Sequence, residues 1–293
     1  MLERNVAPGL TRHGTCTALT AATLLLSTLT ACDGGQGTTP EVSEGAPGAL
    51  LEQVAAADVV DLTHPVSEET LVWPTSDPFE FEVVFEGVTE EGYYYSARNF
   101  SGPEHGGTHL DAPIHFAEGS WTTTDIPVDR FVGPGVVVDV SDAAAADVNH
   151  RVTSEELERW EADHGFIPEG AILLLFTDRS RLWPDAEAYM GTDRTGEEAV
   201  AELAFPGLHP EAARWLVEER DVALVGIDTP SIDHGPSIRF ESHRILSKAN
   251  VPALENVANL ERLPPTGSVV VALPMKLEGG TGGPLRIVAL VEG

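Results

Sequence analysis

His105-Gly-Gly-Thr-His109-Leu-Asp111-Ala-Pro-Ile-His115 packs three histidines and one carboxylate into eleven residues. Gly106, Gly107 and Pro113 argue against a regular helix here, so the stretch predicts a tight turn running into an extended piece. In an extended piece alternate side chains share a face, which points His109 and Asp111 the same way. Neutral imidazole and carboxylate are donors that Zn2+ or Mn2+ accepts. A catalytic centre needs about three such ligands and a position left open for water. Loop histidines often serve only as hydrogen-bonded structural groups. With 10 His in 293 residues, however, three in this stretch is a local excess, and the glycines let backbone approach an ion closely.

Working outward, Phe79 to Phe85 alternates Phe-Glu-Phe-Glu-Val and Tyr93 to Phe100 follows suit, predicting two half-buried strands in an antiparallel pair. The second strand delivers the chain through Gly102 to the histidine stretch. Upstream, Val59 to Leu62 reads as a short strand, and Leu71-Val-Trp73-Pro74 as a turn that exposes an aromatic. Downstream, Gly135 to Val140 is β-branched. Thr153-Ser-Glu-Glu156 matches a capping box opening a helix that ends before Gly165. Ala171 to Phe176 and Val222 to Ile227 are apolar runs of the kind buried on both faces of a sheet. Helices are expected from Pro210 to Arg220 and over Ser242 to Lys248, with His243 near the start of the second. The long mixed segment Leu182 to Gly207 is a candidate for lining or covering a site. Val269 to Leu273 and Leu285 to Val291 read as closing strands. Between them, Gly279-Gly-Thr-Gly-Gly283 lacks the Lys-Ser/Thr of a phosphate loop and precedes Pro284 and a strand, so it reads as a tight turn. Strands interleaved with three helices make the body an α/β domain with a mixed β-sheet and flanking helices.

The pattern H-x-G-T-H-x-D-x-P-x-H, met by His105, Gly107, Thr108, His109, Asp111, Pro113 and His115, resembles the signature of the metal-dependent cyclase family, which includes kynurenine formamidase and isatin hydrolase. The similarity runs from about Val59 to the C-terminus, through Trp73-Pro74, Gly226-Ile-Asp-Thr-Pro-Ser-Ile-Asp233, His243 and Glu255. It implies the swivelling β/β/α fold, a homo-oligomer and a small amide or lactam substrate, such as an N-formyl aromatic amine or isatin. It further implies metal ligands at His105, His109 and Asp111, with His243 and, twelve residues on, Glu255. The expectation is one or two ions, Asp111 bridging in the second case. His115 is then left off the metal, as general acid/base or as a group orienting a ligand. Trp73 is either a wall for a planar ring or a core residue.

A formal charge of −30 offers no basic patch for nucleic acid and disfavours adsorption to anionic lipid. The 42% apolar content suffices for one sizeable core, and no linker interrupts residues 50–293. Cys16 and Cys32 are the two cysteines, so no disulfide framework is possible in the body. Arg4 and Arg12 precede an apolar run ending in Leu29-Thr-Ala-Cys32. That run resembles the signal peptide and lipobox of bacterial lipoproteins over residues 1–31, with Cys32 lipidated and the protein exported and anchored to the cell envelope. Residues 32–49, rich in Gly, Thr, Pro and Glu, read as a flexible tether.

There is no G-x-S-x-G, no cysteine in the body and no H-E-x-x-H, which makes serine, thiol and zinc-peptidase mechanisms the weaker readings. The expected function is metal-dependent hydrolysis of an amide or cyclic-amide C–N bond. The alternative is an envelope lipoprotein that binds a metal or solute without catalysis.

Overall fold

The computed structural model describes residues 46–293. The expected signal peptide, Cys32 and residues 32–45 of the expected tether lie outside the described residues. In chain order the strands are β1 (Ala57–Asp61), β2 (Glu80–Val88), β3 (Tyr94–Ser101), β4 (His109–Asp111), β5 (Val132–Asp139), β6 (Arg151–Val152), β7 (Ile172–Phe176), β8 (Gly207–Leu208), β9 (Leu224–Ile227), β10 (Ala253–Glu255), β11 (Ser268–Pro274) and β12 (Gly282–Glu292). The helices are α1 (Ala46–Ala56), α2 (Ser141–Ala146), α3 (Ser154–His164), α4 (Ala186–Met190), α5 (Glu197–Val200), α6 (Pro210–Glu219) and α7 (Glu241–Lys248). Helix α1 runs across the expected tether–body boundary, with Leu50, Leu51 and Val54 exposed.

The main sheet is ordered β1-β12-β11-β5-β7-β9-β10-β4, and β12 pairs with β4 as well. β5, β7, β9 and β10 run parallel to their neighbours in that series, whereas the remaining pairings are antiparallel, so the sheet is mixed. Gly282 to Pro284 of β12 face Asp111 to His109 of β4, while the rest of β12 lies between β11 and β1. The sheet therefore curls until its far edge meets its own β12, and an apolar interior is enclosed.

The period of two along a strand explains the two cores. Ile172, Leu174 and Phe176 of β7 turn inward to Leu110, Leu254, Val270 and Ile287. Leu173 and Leu175 turn outward beneath Leu157 and Trp160 of α3, Leu216 of α6 and Leu246 of α7. Both faces of β7 are thus covered, which is why its sequence shows no alternation. Each such Leu or Ile contributes about 1.5–3 kcal/mol by leaving water. The capping box forms as expected: Thr153 accepts from the Glu156 amide, Glu156 accepts from the Thr153 amide, and Gly165 ends the helix.

The antiparallel pair β2–β3 forms, but the expected half-burial does not. Val83, Val84, Phe85, Val88, Tyr94, Tyr95 and Phe100 are all exposed. The ribbon is a sheet of its own, and among the described residues no second layer covers either face. Phe79, just before it, is the buried member, packed where a Cβ on Gly102 or Gly106 would lie within 3 Å of its ring.

The loops at the carboxyl ends of β7, β9 and β10 gather where ligands ordinarily bind in such sheets. Asp228, at the end of β9, is wholly buried and accepts from the Thr177 amide and hydroxyl and the Arg179 amide, tying two of those loops together. Burial outweighs these bonds and raises its pKa to about 6. The segment from Leu182 to Gly207 folds as short helices. Its Tyr189, Met190, Leu203 and Phe205 pack under Leu71 and Trp73, and Met190 also reaches the site.

Candidate metal centre

Gly107 takes φ +63°, a conformation costly to residues with a Cβ, and this turn sets up β4. Within β4, His109 and Asp111 lie on one face, with His109 Nε2 3.2 Å from Asp111 Oδ1. The antiparallel register places Glu255 of β10 opposite His109, and their Nε2 and Oε2 are 3.3 Å apart. From the first turn of α7, His243 brings Nε2 to 3.1 Å from Asp111 Oδ2 and 3.0 Å from Glu255 Oε1. His105, ahead of the turn, sets Nδ1 2.6 Å from Asp111 Oδ1. Two clusters result, His105/His109/Asp111 and Asp111/His243/Glu255, each with candidate donor atoms within 4.8 Å of one another. Asp111 belongs to both. His105 is half-buried, and the other four are buried.

The electrostatics are those of a site short of positive charge. Burial raises the carboxyl pKa of Asp111, but His105, His109 and His243 outweigh it and hold the group well below the usual range. Burial, then Asp111, push Glu255 up, while His109 and His243 bring it below its ordinary value. Burial alone would lower the pKa of His109, yet Asp111 and Glu255 drive it to about 10. His243 likewise rises despite burial, through Asp111, Asp233 and Glu255. The fit to a divalent cation rests on His109 Nε2, which is buried and faces two carboxylate oxygens without the alignment of a hydrogen bond to either. Three imidazoles and two carboxylates around one space form a donor set that Zn2+ and Mn2+ both accept.

The distal nitrogens are anchored. His109 Nδ1 donates to the Gly107 carbonyl at 2.9 Å, and His243 Nδ1 to Asp233 Oδ2 at 2.8 Å. Asp233 is in turn fixed by the amides of Ser242 and His243 and the Ser237 hydroxyl. The Ile232 amide donates to Glu255 Oε1 at 2.7 Å. Such outer bonds set the tautomer and aim of a ligating imidazole.

His115 ends the short 3-10 turn Pro113–His115 and belongs to neither cluster. Its ring stacks on His105 with centroids 3.9 Å apart and meets Phe116 edge-on. One part of it stays exposed, but the protein packed around it lowers its pKa; His105 and His243 add to that, against Asp111 and Glu255. The imidazole is therefore neutral near pH 7.

Beside the cluster lies a cavity of about 240 Å³, walled by Leu71, Trp73, Phe116, Met190 and Phe240. Trp73 packs on the Tyr189 cluster and also faces this cavity. Phe240 adopts φ +48°, a strained backbone for a bulky residue, and its ring lies 5.2 Å from Phe116 and 6.2 Å from Trp73. Among the described residues, no Lys or Arg lines the cavity. Sequence reasoning gave no role to Asp233, Phe116 or Phe240. Asp233 lies inside the quoted Gly226–Asp233 stretch, so a signal existed; Phe240 carried none.

The family profile described as "Putative cyclase" matches residues 60–234. An isatin hydrolase of Roseibium aggregatum is 34% identical over 196 residues, 64% of this chain and 72% of its own. A kynurenine formamidase of Bacillus cereus is 28% identical over 229 residues, 78% of this chain and 95% of its own. The solved structure of isatin hydrolase A from Ralstonia solanacearum superposes with a TM-score of 0.76 at 35% identity, covering 88% of this chain and 100% of that one.

Proposed function

The chain belongs to the putative-cyclase family, and from that premise we propose that its His/Asp/Glu centre hydrolyses a neutral, planar aromatic amide or lactam. Its relatives are named hydrolases of non-peptide amide bonds, and the chain is a metal-dependent hydrolase of that kind. Binding without catalysis is not favoured.

In this proposal His105, His109 and Asp111 would hold one divalent ion, and Asp111, His243 and Glu255 would hold a second where two are bound. Zn2+ and Mn2+ both suit the mixed donors. When bound, such an ion lowers the pKa of water from about 15.7 toward 7 and polarises a carbonyl oxygen.

His115 supplies the proton traffic. It accepts a proton as water oxygen bonds to the carbonyl carbon, and it returns that proton to the nitrogen as the C–N bond breaks. The observation that carries this reading is its position: an imidazole stacked on the cluster, outside it, and lining the cavity. Trp73, Phe116 and Phe240 supply faces for a flat ring. An amino-acid substrate would bring a carboxylate for which the described lining residues offer no Lys or Arg, which favours an isatin-like lactam or a simple formanilide. The test is metal content of the purified protein together with turnover of isatin, formanilide, N-formylkynurenine and a lactone. Isatin or formanilide should be hydrolysed and a chelator should abolish it. Stoichiometric metal without cleavage of any C–N bond would return the binding-only alternative.

We further infer a lipid anchor at Cys32 and export to the cell envelope, supported by Leu29-Thr-Ala-Cys32 behind an apolar run. Cys32→Ser should release the protein from the membrane fraction, and wild type found wholly soluble without an acyl group would end the idea. A homo-oligomer is supported by the exposed ribbon, because an apolar surface of that extent ordinarily meets a partner.

A further inference from the structure

The Gly279–Gly283 turn, which reads as a plain connection, lies directly behind the metal cluster. Gly282 is paired with Asp111, and a Cβ on it would come within 2.5 Å of the His105 ring. Only glycine lets the turn approach so closely. The Ala112 amide donates to the Thr281 carbonyl at 2.8 Å, fastening the turn to the end of β4. Thr281 Oγ1 lies 2.9 Å from His105 Nε2. The same hydroxyl is 2.6 Å from Glu104 Oε2, an oxygen that also receives the amides of Thr281 and Gly282 at 2.8 and 3.2 Å.

The direction of these bonds follows from counting protons. A carboxylate oxygen can only accept, and a threonine hydroxyl has one hydrogen. That hydrogen goes to Glu104, since turning it toward His105 would leave two lone pairs facing each other at 2.6 Å. Thr281 Oγ1 then has only lone pairs for His105, and His105 Nε2 must be the donor. The hydrogen on Nε2 is thereby fixed, and where a cation rather than a proton lies between Nδ1 and Asp111 Oδ1, 2.6 Å apart, the neutral ring would present its lone pair from Nδ1.

We propose that Glu104 and Thr281 form a positioning relay that fixes the tautomer and aim of His105 as a metal ligand. The proposal rests on the reading of His105 as a ligand. It makes the three histidines alike in design: His109 is held by a carbonyl, His243 by Asp233, and His105 by a carboxylate acting through a hydroxyl. Neither relay residue touches substrate. Both are partly buried at the base of the cluster, where water competes weakly for these bonds.

The experiment uses the full chain and Zn2+ alone as probe, with affinity read by chelator competition. Thr281→Val keeps the volume and removes the hydroxyl, and it should weaken Zn2+ binding by about 10–100-fold. Thr281→Ser should restore it, and Glu104→Gln should fall between. The melting temperature of the metal-free Val variant should match wild type. In a His105→Ala background, Thr281→Val should have no further effect on affinity, because the relay acts only through that ring. In the Zn2+-loaded wild type, nitrogen NMR should find the His105 proton on Nε2. Unchanged affinity in Thr281→Val overturns the relay, as does a full additive loss on top of His105→Ala. A metal-free melting temperature lowered equally by Val and Ser would make the turn structural only. If wild type takes up neither Zn2+ nor Mn2+, the ligand reading itself fails, an outcome distinct from any of these.

Discussion

Two antiparallel strand pairs of this molecule invite comparison. β2–β3 is long, rich in Phe, Tyr and Val, and strongly alternating, yet its apolar side chains stand in solvent. β4–β10 is three residues on each side, carries two charged groups and a histidine, and is buried throughout. Strand character lies in local sequence, whereas burial depends on whether some other part of the chain arrives to cover the strand. β4 is enclosed because β12 and β10 flank it and α7 lies against the turn that follows. Among the described residues, none forms a layer over the ribbon.

The contrast predicts where substitutions are felt. The largest effect belongs to the short pair: His109→Ala or Glu255→Ala should lose bound metal and with it turnover, leaving the remaining carboxylates crowded and uncompensated. Chelation of wild type should also lower its melting temperature, since an ion present at about 100 times its Kd contributes about 2.7 kcal/mol. Full metal occupancy in Glu255→Ala would confine the centre to residues 105–115. Next comes His115→Ala, expected to retain metal and fold while kcat falls by about 10²–10⁴. Loss of metal there would make His115 a ligand and remove the division between binding and proton transfer. Asp233→Asn should weaken metal binding by about 10–100-fold with a smaller loss at saturating metal, a split visible by titration.

The ribbon is expected to behave differently. Phe85→Ser with Tyr95→Ser should leave monomer stability within about 0.5 kcal/mol per site, as for other exposed positions, while shifting the oligomeric state in light scattering. A large loss of stability without any change of mass would show that the ribbon is covered from within the chain after all.

The smallest effect concerns His64, whose amide donates to Thr108 beside the centre and whose ring stacks on Trp183. Burial lowers its pKa from 6.5 to about 4. Between those values the unfolded chain binds the extra proton, so the contribution to stability is intact above pH 6.5, declines as pH falls to about 4, and is flat below. His64→Phe should remove that portion of the acid dependence of the urea midpoint. An identical pH slope in the variant would mean that the ring opens to water at little cost.

Much of the centre was legible because its pattern is local. Gly107, His109, Asp111 and Pro113 lie within seven positions, and a turn into a strand accounts for their spacing. β7 was legible because a run of five apolar residues has few other uses. The outer anchors were not. Glu104, Thr281 and His105 meet across more than 170 residues, and no sequence period joins them. Phe240 was invisible for another reason: left-handed backbone at a phenylalanine contradicts its own propensity, and only surrounding structure enforces it. The ribbon misled because alternation reports a face fit for burial, without saying that anything buries it.

The closing of the sheet by β12 has a kinetic side. Ala57 pairs with Glu292 and Gly282 with Asp111, so the first strand and the ligand-bearing strand both wait for the same distant segment. Contacts of such separation demand the ordering of a long loop before they return any energy, and chains built on them fold slowly. During synthesis the histidine stretch would leave the ribosome long before the strand that flanks it. The ligands accordingly come together as one of the last events of folding, and a nascent chain would hold metal only loosely until then.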